Sequence, residues 1–314
     1  MKNILHDLYS YNPEKPMSPD EAFSYCAKIA QNHYENFTVG SYLVPKEKRP
    51  HIYAVYAFCR WSDDLGDEIG DPQKSFELLD LWLKELESCY GGTPSHPVFI
   101  ALKESIKKFD LPIQPFQDLI KAFKMDQVVS RYKSFEELLY YCQHSANPVG
   151  RIFLMLFGYR DPERFDLADA TCTALQITNF LQDIAIDLTK GRIYIPLEDM
   201  DFFNYAESEL ISKKVNDSFI KLMKFEIGRT QEIFSKGLQL VKKVSGRVQL
   251  DIELFSRGGL QILEMIKKNN YDIFNNRPTI SKFSKGILAA GATLRFLGRK
   301  ILPKSKFETN QKSK

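Results

Sequence analysis

Apolar residues along this chain of 314 residues recur mainly at spacings of three and four, and sustained alternation of apolar and polar residues is missing. Such spacing places apolar side chains on one face of a helix. Prolines and glycines divide the pattern into helix-length segments. We therefore predict an all-α fold, with helices at residues 18–34, 49–69, 75–90, 97–109, 114–129, 134–157, 163–189, 207–244 with breaks, and 247–269.

The sixth of these segments contains Pro148, whose ring and missing amide hydrogen predict a kink or a break in the helix. No repeat period, linker or abrupt change of composition divides the chain into parts. We expect one helical domain over residues 18–300, an N-terminal extension over 1–17 and a basic, disordered tail over 301–314.

Residues 281–304 come nearest to a membrane-spanning segment, but Arg295 interrupts the apolar run, and lysines and arginines flank it. Two interpretations stay open, a packed terminal helix or a helix that touches an anionic membrane surface. No uncharged apolar run reaches the ~20 residues that span a bilayer, and no export signal is evident. We expect a cytoplasmic protein, with peripheral contact to the inner membrane surface as the open alternative.

The charge is nearly balanced, with 43 lysines and arginines against 40 aspartates and glutamates. A net charge of +3 is too small for the chain as a whole to attract nucleic acid, so an anionic partner requires a local basic cluster. The five cysteines are widely spread and show no CxxC spacing, which argues against disulfides and against zinc.

Two acidic stretches lie inside otherwise apolar helical sequence. The first, RWSDDLGDEIGD at residues 60–71, contains Asp63 and Asp67 four residues apart. This spacing leaves them about 40° apart around a helix and on adjacent turns, so both can contact one ion. Asp64 and Glu68 point about 100° away, and we expect them to have supporting or structural roles.

The second stretch, NFLQDIAIDLTKGRIYIP at residues 179–196, continues the same spacing through Asn179, Asp183 and Asp187, with Gln176 one turn earlier. The other faces of this helix are apolar, which is typical of a central buried helix. Ionised carboxylates in such a place require compensating charge. A hard divalent cation supplies that charge, and Mg²⁺ binds a few carboxylates while leaving coordination positions for phosphate oxygens.

Other metals fit the sequence less well, because HExxH is absent and no histidine follows a glutamate by three residues. Each acidic stretch alone is also consistent with a solvated helix face. Arg60 before the first stretch, and Lys190 and Arg192 after the second, are candidates for holding a diphosphate. For Arg60, an ion pair with Asp63 or Asp64 within its own helix is the alternative.

Three segments resemble the signature regions of the squalene and phytoene synthase family, in the expected order: YAFCRWSDDLGDE, YYCQHSANPVG and QITNFLQDIAIDLTKGRIYIP. The resemblance covers about residues 20–270. It implies the isoprenoid synthase fold, a single helical domain with a central cavity between facing aspartate-rich helices. It also implies Mg²⁺ ions that bridge a prenyl diphosphate substrate, and head-to-head prenyl chemistry.

The resemblance assigns roles to individual positions of this chain. Its metal-coordinating positions are matched by Asp63, Asp67, Asn179, Asp183 and Asp187. Arg60 matches a diphosphate-contacting arginine, and Tyr141 matches a tyrosine near the reacting carbons. Gln176 and Tyr194 lie in the same motifs with less defined roles, and Phe37, in ENFTVGSYLVP, resembles a segment that closes over the substrate.

One departure indicates the branch of the family. Many members have arginine directly before the first aspartate of the second motif, where this chain has Gln182 and lacks that positive charge beside the diphosphate. The motifs together are most similar to the bacterial hydroxysqualene synthases of hopanoid biosynthesis. This resemblance implies conversion of presqualene diphosphate and water to hydroxysqualene and diphosphate, a lyase reaction.

Two alternatives stay open, a transferase that joins two prenyl diphosphates into presqualene diphosphate, squalene or a carotenoid precursor, and a non-catalytic helical assembly factor. No GxGxxG follows a strand, so no nicotinamide is expected. The residue that positions the capturing water is also open, with candidates Tyr141, Gln176, Asn179 and Gln182. Enzymes before and after this step in squalene or hopanoid synthesis are expected partners.

Overall fold

Helices make up most of the described part of the chain, which in this computed structural model comprises residues 17–32 and 44–301. In chain order they are α1 (Pro19–Asn32), α2 (Arg49–Asp67), α3 (Pro72–Gly91), α4 (Pro97–Phe109), α5 (Gln114–Met125), α6 (Phe135–Ser145), α7 (Asn147–Leu156), α8 (Pro162–Asp187), α9 (Leu197–Phe202), α10 (Glu207–Ile211), α11 (Asp217–Gly237), α12 (Leu240–Lys243), α13 (Arg247–Lys268) and α14 (Lys282–Ile301). No sheet occurs within these two ranges, where β-type pairing is confined to one bridge between Arg131 and Ile193. The predicted all-α fold is confirmed.

Pro148 breaks the helix that was predicted over residues 134–157. One helix ends at Ser145 and the next begins at Asn147, with Ala146 between them, and Pro148 falls in the first turn of α7, where its missing amide hydrogen costs nothing. The short helix α9 was not predicted, because its six residues are too few to show a helical period. Phe37 and residues 302–314 lie outside the described residues, so what the sequence predicts for them stays a prediction.

Side-chain caps fix where several helices begin. Asp71 accepts hydrogen bonds from the amides of Gln73 and Lys74 at the start of α3. Asp161 accepts one from Arg164 at the start of α8, and Pro162 occupies the first turn there. Such caps satisfy amides that have no partner within the helix and contribute about 1 kcal/mol each.

Two hydrophobic cores adjoin in the molecule. The first, which includes Phe58, Trp82 and Phe99, is built mainly by α1 to α5. The second, which includes Phe219 and Phe234, is built mainly by α6, α8, α11 and α13. Helix α8 is central, since it packs against α6, α7, α11 and α13. The acidic stretch of α2 thus belongs to one core and that of α8 to the other.

The C-terminal helix α14 packs on α13 through a small apolar cluster formed by Leu250, Leu254 and Ala292. Glu253, whose side chain is only 1% exposed, accepts hydrogen bonds from Arg295 and Arg299 of this helix. The segment 281–304 is therefore a packed helix over most of its length. No helix in the described ranges is long and apolar enough to cross a membrane.

Candidate active site

Asp67, the last residue of α2, joins the two acidic stretches. Lys190 Nζ lies 2.7 Å from Asp67 Oδ2, and Arg192 Nη2 lies 2.9 Å from Asp67 Oδ1. Lys190 belongs to the 3₁₀ turn Leu188–Lys190 that follows α8, and Gly191 there has φ +71°, a left-handed conformation that glycine adopts easily. Burial alone would raise the pKa of Asp67, but the hydrogen bonds from Arg192 and Lys190 lower it.

Arg60 is bound by two of the three aspartates of its own helix. Its Nη1 lies 3.1 Å from Asp63 Oδ2, and its Nη2 donates to Asp64 Oδ1. The ion pair that was the alternative for Arg60 is therefore present, and Asp64 takes part in it. Burial raises the pKa of Asp63 to about 6; Arg60 opposes this shift, and the charge of Asp67 adds to it.

Asp183 forms a two-point ion pair with Arg277, which the sequence did not single out. Arg277 Nε donates to Asp183 Oδ1, and Nη2 donates to Oδ2 at 3.1 Å. Arg277 lies in the segment that follows α13, which ends at Lys268. The pair becomes visible only in the structure, where this segment folds back onto α8. Burial, together with the charge of Asp183, raises the pKa of Asp187 to about 7.

Other residues of the second stretch divide between two faces of α8. Asn179 is exposed and Gln176 is half-buried on the face that carries Asp183, which agrees with the predicted polar stripe. Gln182 lies on another face, is 8% exposed and donates its amide to the carbonyl oxygen of Pro278. In this arrangement Gln182 holds the segment that carries Arg277, and its contact with diphosphate stays a prediction.

An aromatic cluster lies beside the aspartates. Phe180 and Tyr194 stack with ring centroids 3.8 Å apart, and Tyr132 and Tyr141 pack against Tyr194 at 5.7 Å and 5.9 Å. Tyr141 and Tyr194 were singled out from the sequence, whereas Tyr132 and Phe180 were not. The hydroxyl of Tyr132 is buried without a hydrogen-bond partner among the described residues.

Asp126, just after α5, is a further site residue that sequence reasoning missed. Its Oδ2 accepts a hydrogen bond of 2.9 Å from the Tyr141 hydroxyl, and its backbone carbonyl accepts one from Arg192. Burial raises the pKa of Asp126 to about 7, while the charge of Arg192 and the hydrogen bond from Tyr141 oppose the shift. A single acidic residue at the end of a helix gives no sequence signal, because the pattern that marked the other aspartates is a repeat.

An apolar cavity of about 240 Å³ begins one turn of α8 before Asn179. Its lining is Val44, Val149, Gly150, Phe153, Leu154, Ala168, Thr171, Cys172, Leu175, Leu240, Asp251, Ile252 and Phe255. A larger open groove of about 870 Å³ lies on another face of α8, where Asp166, Asp169 and Thr173 line it. Leu175 points about 40° from Asn179 around the helix and Thr173 about 120° from it, so the apolar cavity adjoins the Asn179 side of the polar stripe.

The predicted Mg²⁺ ligands are oxygen donors on two helices, α2 and α8, and the raised pKa values of Asp63 and Asp187 mean that a nearby cation would stabilise their ionised forms. Within the described ranges, however, no three metal-ligating side chains are already gathered around one point. Lys190 and Arg192 hold Asp67, and Arg277 holds Asp183. The donor chemistry fits Mg²⁺, but the metal would have to replace these basic side chains as the partner of Asp67 and Asp183.

Comparisons with known proteins agree with this architecture. The model of the family "Squalene/phytoene synthase" matches residues 30–284. A phytoene synthase of Arthrospira platensis is 32% identical over 293 residues, which cover 89% of this chain and 95% of the relative. A 15-cis-phytoene synthase of Synechococcus elongatus is 31% identical over 280 residues, which cover 85% of this chain and 91% of the relative.

Two solved structures also resemble the chain over most of its length. Squalene synthase HpnC of Alicyclobacillus acidocaldarius has a TM-score of 0.78 and 39% identity, over 86% of this chain and 99% of that one. A dehydrosqualene synthase in complex with ligand has a TM-score of 0.82 and 25% identity, over 89% and 98%. The protein described here is a member of the squalene/phytoene synthase family.

Proposed function

We propose that this protein is a hydroxysqualene synthase, which converts presqualene diphosphate and water to hydroxysqualene and diphosphate. The observation that carries the proposal is that a charged cluster and an apolar cavity lie along the same helix, α8. Cationic and acidic side chains gather where α2 and α8 end, and an apolar cavity lies further back along α8, between Ala168 and Leu175. Such a site suits a molecule with a diphosphate head and long hydrocarbon chains.

The charged residues bind and orient the diphosphate. Lys190 and Arg192 are placed to donate to its oxygens, and Arg60 is their counterpart on α2. Asp63, Asp67, Asn179, Asp183 and Asp187 would hold Mg²⁺, which neutralises charge on the leaving diphosphate. Arg277, now paired with Asp183, would become free to donate to the diphosphate if a cation bound that carboxylate.

In the reaction, the carbon–oxygen bond to diphosphate breaks and both electrons leave with the oxygen. The resulting cation rearranges, water oxygen forms a new bond to carbon, and the water proton passes to the released diphosphate, which is a base. The aromatic cluster contributes in two ways. Its apolar faces exclude other water, and the rings of Phe180 and Tyr194 stabilise positive charge by up to about 2 kcal/mol each when desolvated.

Identity to squalene synthase HpnC is 39%, against 32% to the phytoene synthase of Arthrospira platensis, which favours a product of the squalene type over one of the carotenoid type. One residue supports hydroxysqualene in particular. Gln182 replaces the arginine that many family members carry before Asp183. Gln182 is buried and bound to Pro278. Among the described residues, the positive charge that contacts the Asp183 carboxylate comes from Arg277.

A second candidate is a transferase that joins two prenyl diphosphates head to head. It is supported by the curated relatives, which include phytoene synthases 31% to 33% identical to this chain. Supplying presqualene diphosphate, farnesyl diphosphate or geranylgeranyl diphosphate separately with Mg²⁺, followed by mass spectrometry of the products, separates the two. Hydroxysqualene from presqualene diphosphate supports the first candidate, and a condensation product from two prenyl diphosphates supports the second.

We also propose that α14 touches an anionic lipid surface. Its inner face packs on α13, while Ile287, Leu294 and Leu297 on the outer face are 58%, 70% and 47% exposed. These three fall on one side of the helix, and the sequence after them is rich in lysine. Sedimentation with vesicles containing anionic lipid tests this, with Leu294→Ser as the weakened variant and Thr293→Ser as the matched control. Equal sedimentation of both variants and the wild type would contradict it.

A further inference from the structure

Among the described residues that line the apolar cavity, Asp251 is the one that carries a charged group. It is 1% exposed, and neither of its carboxyl oxygens has a hydrogen-bond partner among the described residues. Arg247, one turn earlier on α13, acts on it only through its charge. A buried carboxyl without a partner is costly, so its presence in an otherwise apolar cavity requires a physical account.

The packing of α8 and α13 locates Asp251 along the cavity. A Cβ placed on Gly259 would lie 3.0 Å from Leu175 Cδ2, so these two residues meet where the helices touch. Asp251, eight residues earlier on α13, shares the cavity with Ala168 and Thr171 of α8. Asp251 precedes Gly259 on α13, and Ala168 and Thr171 precede Leu175 on α8. The two helices therefore run in the same direction.

The aspartates lie at the opposite end of this arrangement. Asp183 follows Leu175 by eight residues on α8, and Arg277, which follows the end of α13, reaches it there. On a rise of 1.5 Å per residue, Ala168 lies roughly 22 Å from Asp183 along the axis of α8. A prenyl chain whose diphosphate is held at the aspartates therefore reaches Asp251 last.

We propose that Asp251 is a specificity-determining residue that closes the far end of the apolar cavity to prenyl chains longer than farnesyl. The carboxyl needs hydrogen-bonding partners. Among the described residues of the lining, Thr171 donates its hydroxyl to the carbonyl oxygen of Leu167 instead, so water is the donor that we expect at Asp251. Three isoprene units leave space for that water, whereas a fourth would displace it and press methyl groups onto an unpaired carboxyl. This inference rests on the proposed binding of prenyl diphosphates.

Binding of two unreactive probes, farnesyl and geranylgeranyl thiolodiphosphate, tests the proposal in the presence of Mg²⁺. Wild-type protein is expected to bind the farnesyl probe more tightly. Asp251→Leu matches the branching of aspartate without its polarity, and we expect it to shift the ratio of the two Kd values about tenfold toward the longer probe. Asp251→Asn still needs hydrogen bonds and is expected to keep the wild-type ratio.

A ratio that is unchanged in Asp251→Leu would overturn the proposal. Thermal unfolding gives a second readout, because removing an unpaired buried carboxyl should leave Tm equal or higher. A large fall of Tm in both variants would show that Asp251 has a partner, which also overturns it. If the ratio shifts as expected but presqualene diphosphate yields no hydroxysqualene, the proposed reaction fails and the role of Asp251 stands.

Discussion

The hydroxyl of Tyr141 donates a hydrogen bond of 2.9 Å to Oδ2 of Asp126, and this bond ties the middle of α6 to the end of α5. Burial raises the pKa of Tyr141 well above its ordinary value, so the hydroxyl keeps its proton and acts as the donor. Oδ1 of Asp126 has no partner in the ranges the structure describes. The bond therefore orients the Tyr141 ring within the aromatic cluster and satisfies half of a buried carboxyl.

Removing the Tyr141 hydroxyl should destabilise the protein more than removing the hydroxyl of an exposed tyrosine. In Tyr141→Phe the Asp126 carboxyl loses its hydrogen bond, and we expect the free energy of unfolding to fall by about 1–3 kcal/mol. Asp126→Asn keeps an acceptor and should cost less. In the double variant Tyr141→Phe with Asp126→Leu, urea unfolding should show a loss smaller than the sum of the single losses, and additive losses would mean that the two residues are not coupled.

Substitution of Arg192 should weaken diphosphate binding more than substitution of Lys190. The Arg192 side chain is 15% exposed and that of Lys190 is 47% exposed, so water screens the arginine less. We expect Kd for inorganic diphosphate to rise about tenfold or more in Arg192→Ala and less in Lys190→Ala. Lys214→Ala, which removes an exposed lysine paired with Glu209, is the matched control. A larger effect in the control than in Arg192→Ala would contradict this assignment.

Turnover and stabilisation by Mg²⁺ should both depend on the aspartates of α8. Turnover is expected to stop on removal of metal with EDTA and to return on addition of Mg²⁺. With inorganic diphosphate present, Mg²⁺ at about 100 times its Kd should stabilise the wild-type protein by about 2.7 kcal/mol. Asp183→Asn should lose most of this stabilisation. Arg277→Gln frees Asp183 from its ion pair and should bind Mg²⁺ more readily when diphosphate is absent. Equal stabilisation of the wild type and Asp183→Asn in thermal unfolding would argue against these ligands.

Acid should release α14 from α13. Burial alone would raise the pKa of Glu253, but hydrogen bonds from Arg299, Arg257 and Arg295 lower it from 4.5 to about 2. Because the folded pKa is depressed, the stabilisation is present above about pH 4.5 and is lost as the pH falls toward 2. With Arg295 and Arg299 being 41% and 33% exposed, we discount it to about 1–2 kcal/mol.

Glu253→Gln should therefore lower stability at neutral pH and flatten its dependence on pH below 4.5. Urea unfolding followed at several pH values measures both effects. Glu264→Gln is the matched control, because Glu264 is half exposed and pairs with Lys267 on the surface. The account is wrong if the control shows the larger change.

Much of the fold could be predicted from the sequence, because helical period and punctuation by proline and glycine are local signals. The break at Pro148 and the polar stripe at Asn179, Asp183 and Asp187 are examples. Their repeated spacing of four made those side chains visible as a set. The short α9 gave no such signal, since six residues do not complete two turns.

Site residues that act singly could not be predicted. Asp126 and Arg277 each stand alone in sequence, and they reach Tyr141 and Asp183 only through the packing of distant segments. Gln182 shows the opposite limit. Its position before Asp183 predicts a contact with diphosphate, but it does not show the hydrogen bond to Pro278, toward which a rotation of about 100° per residue turns the side chain. Adjacency in sequence does not mean adjacency on a helix face.

Incubation of the purified protein with presqualene diphosphate and Mg²⁺, followed by mass spectrometry of the extracted product, tests the central claim most directly. The account predicts hydroxysqualene and released diphosphate, with the hydroxyl oxygen labelled when the reaction is run in H₂¹⁸O. Failure to turn over presqualene diphosphate, together with turnover of farnesyl diphosphate, would contradict it.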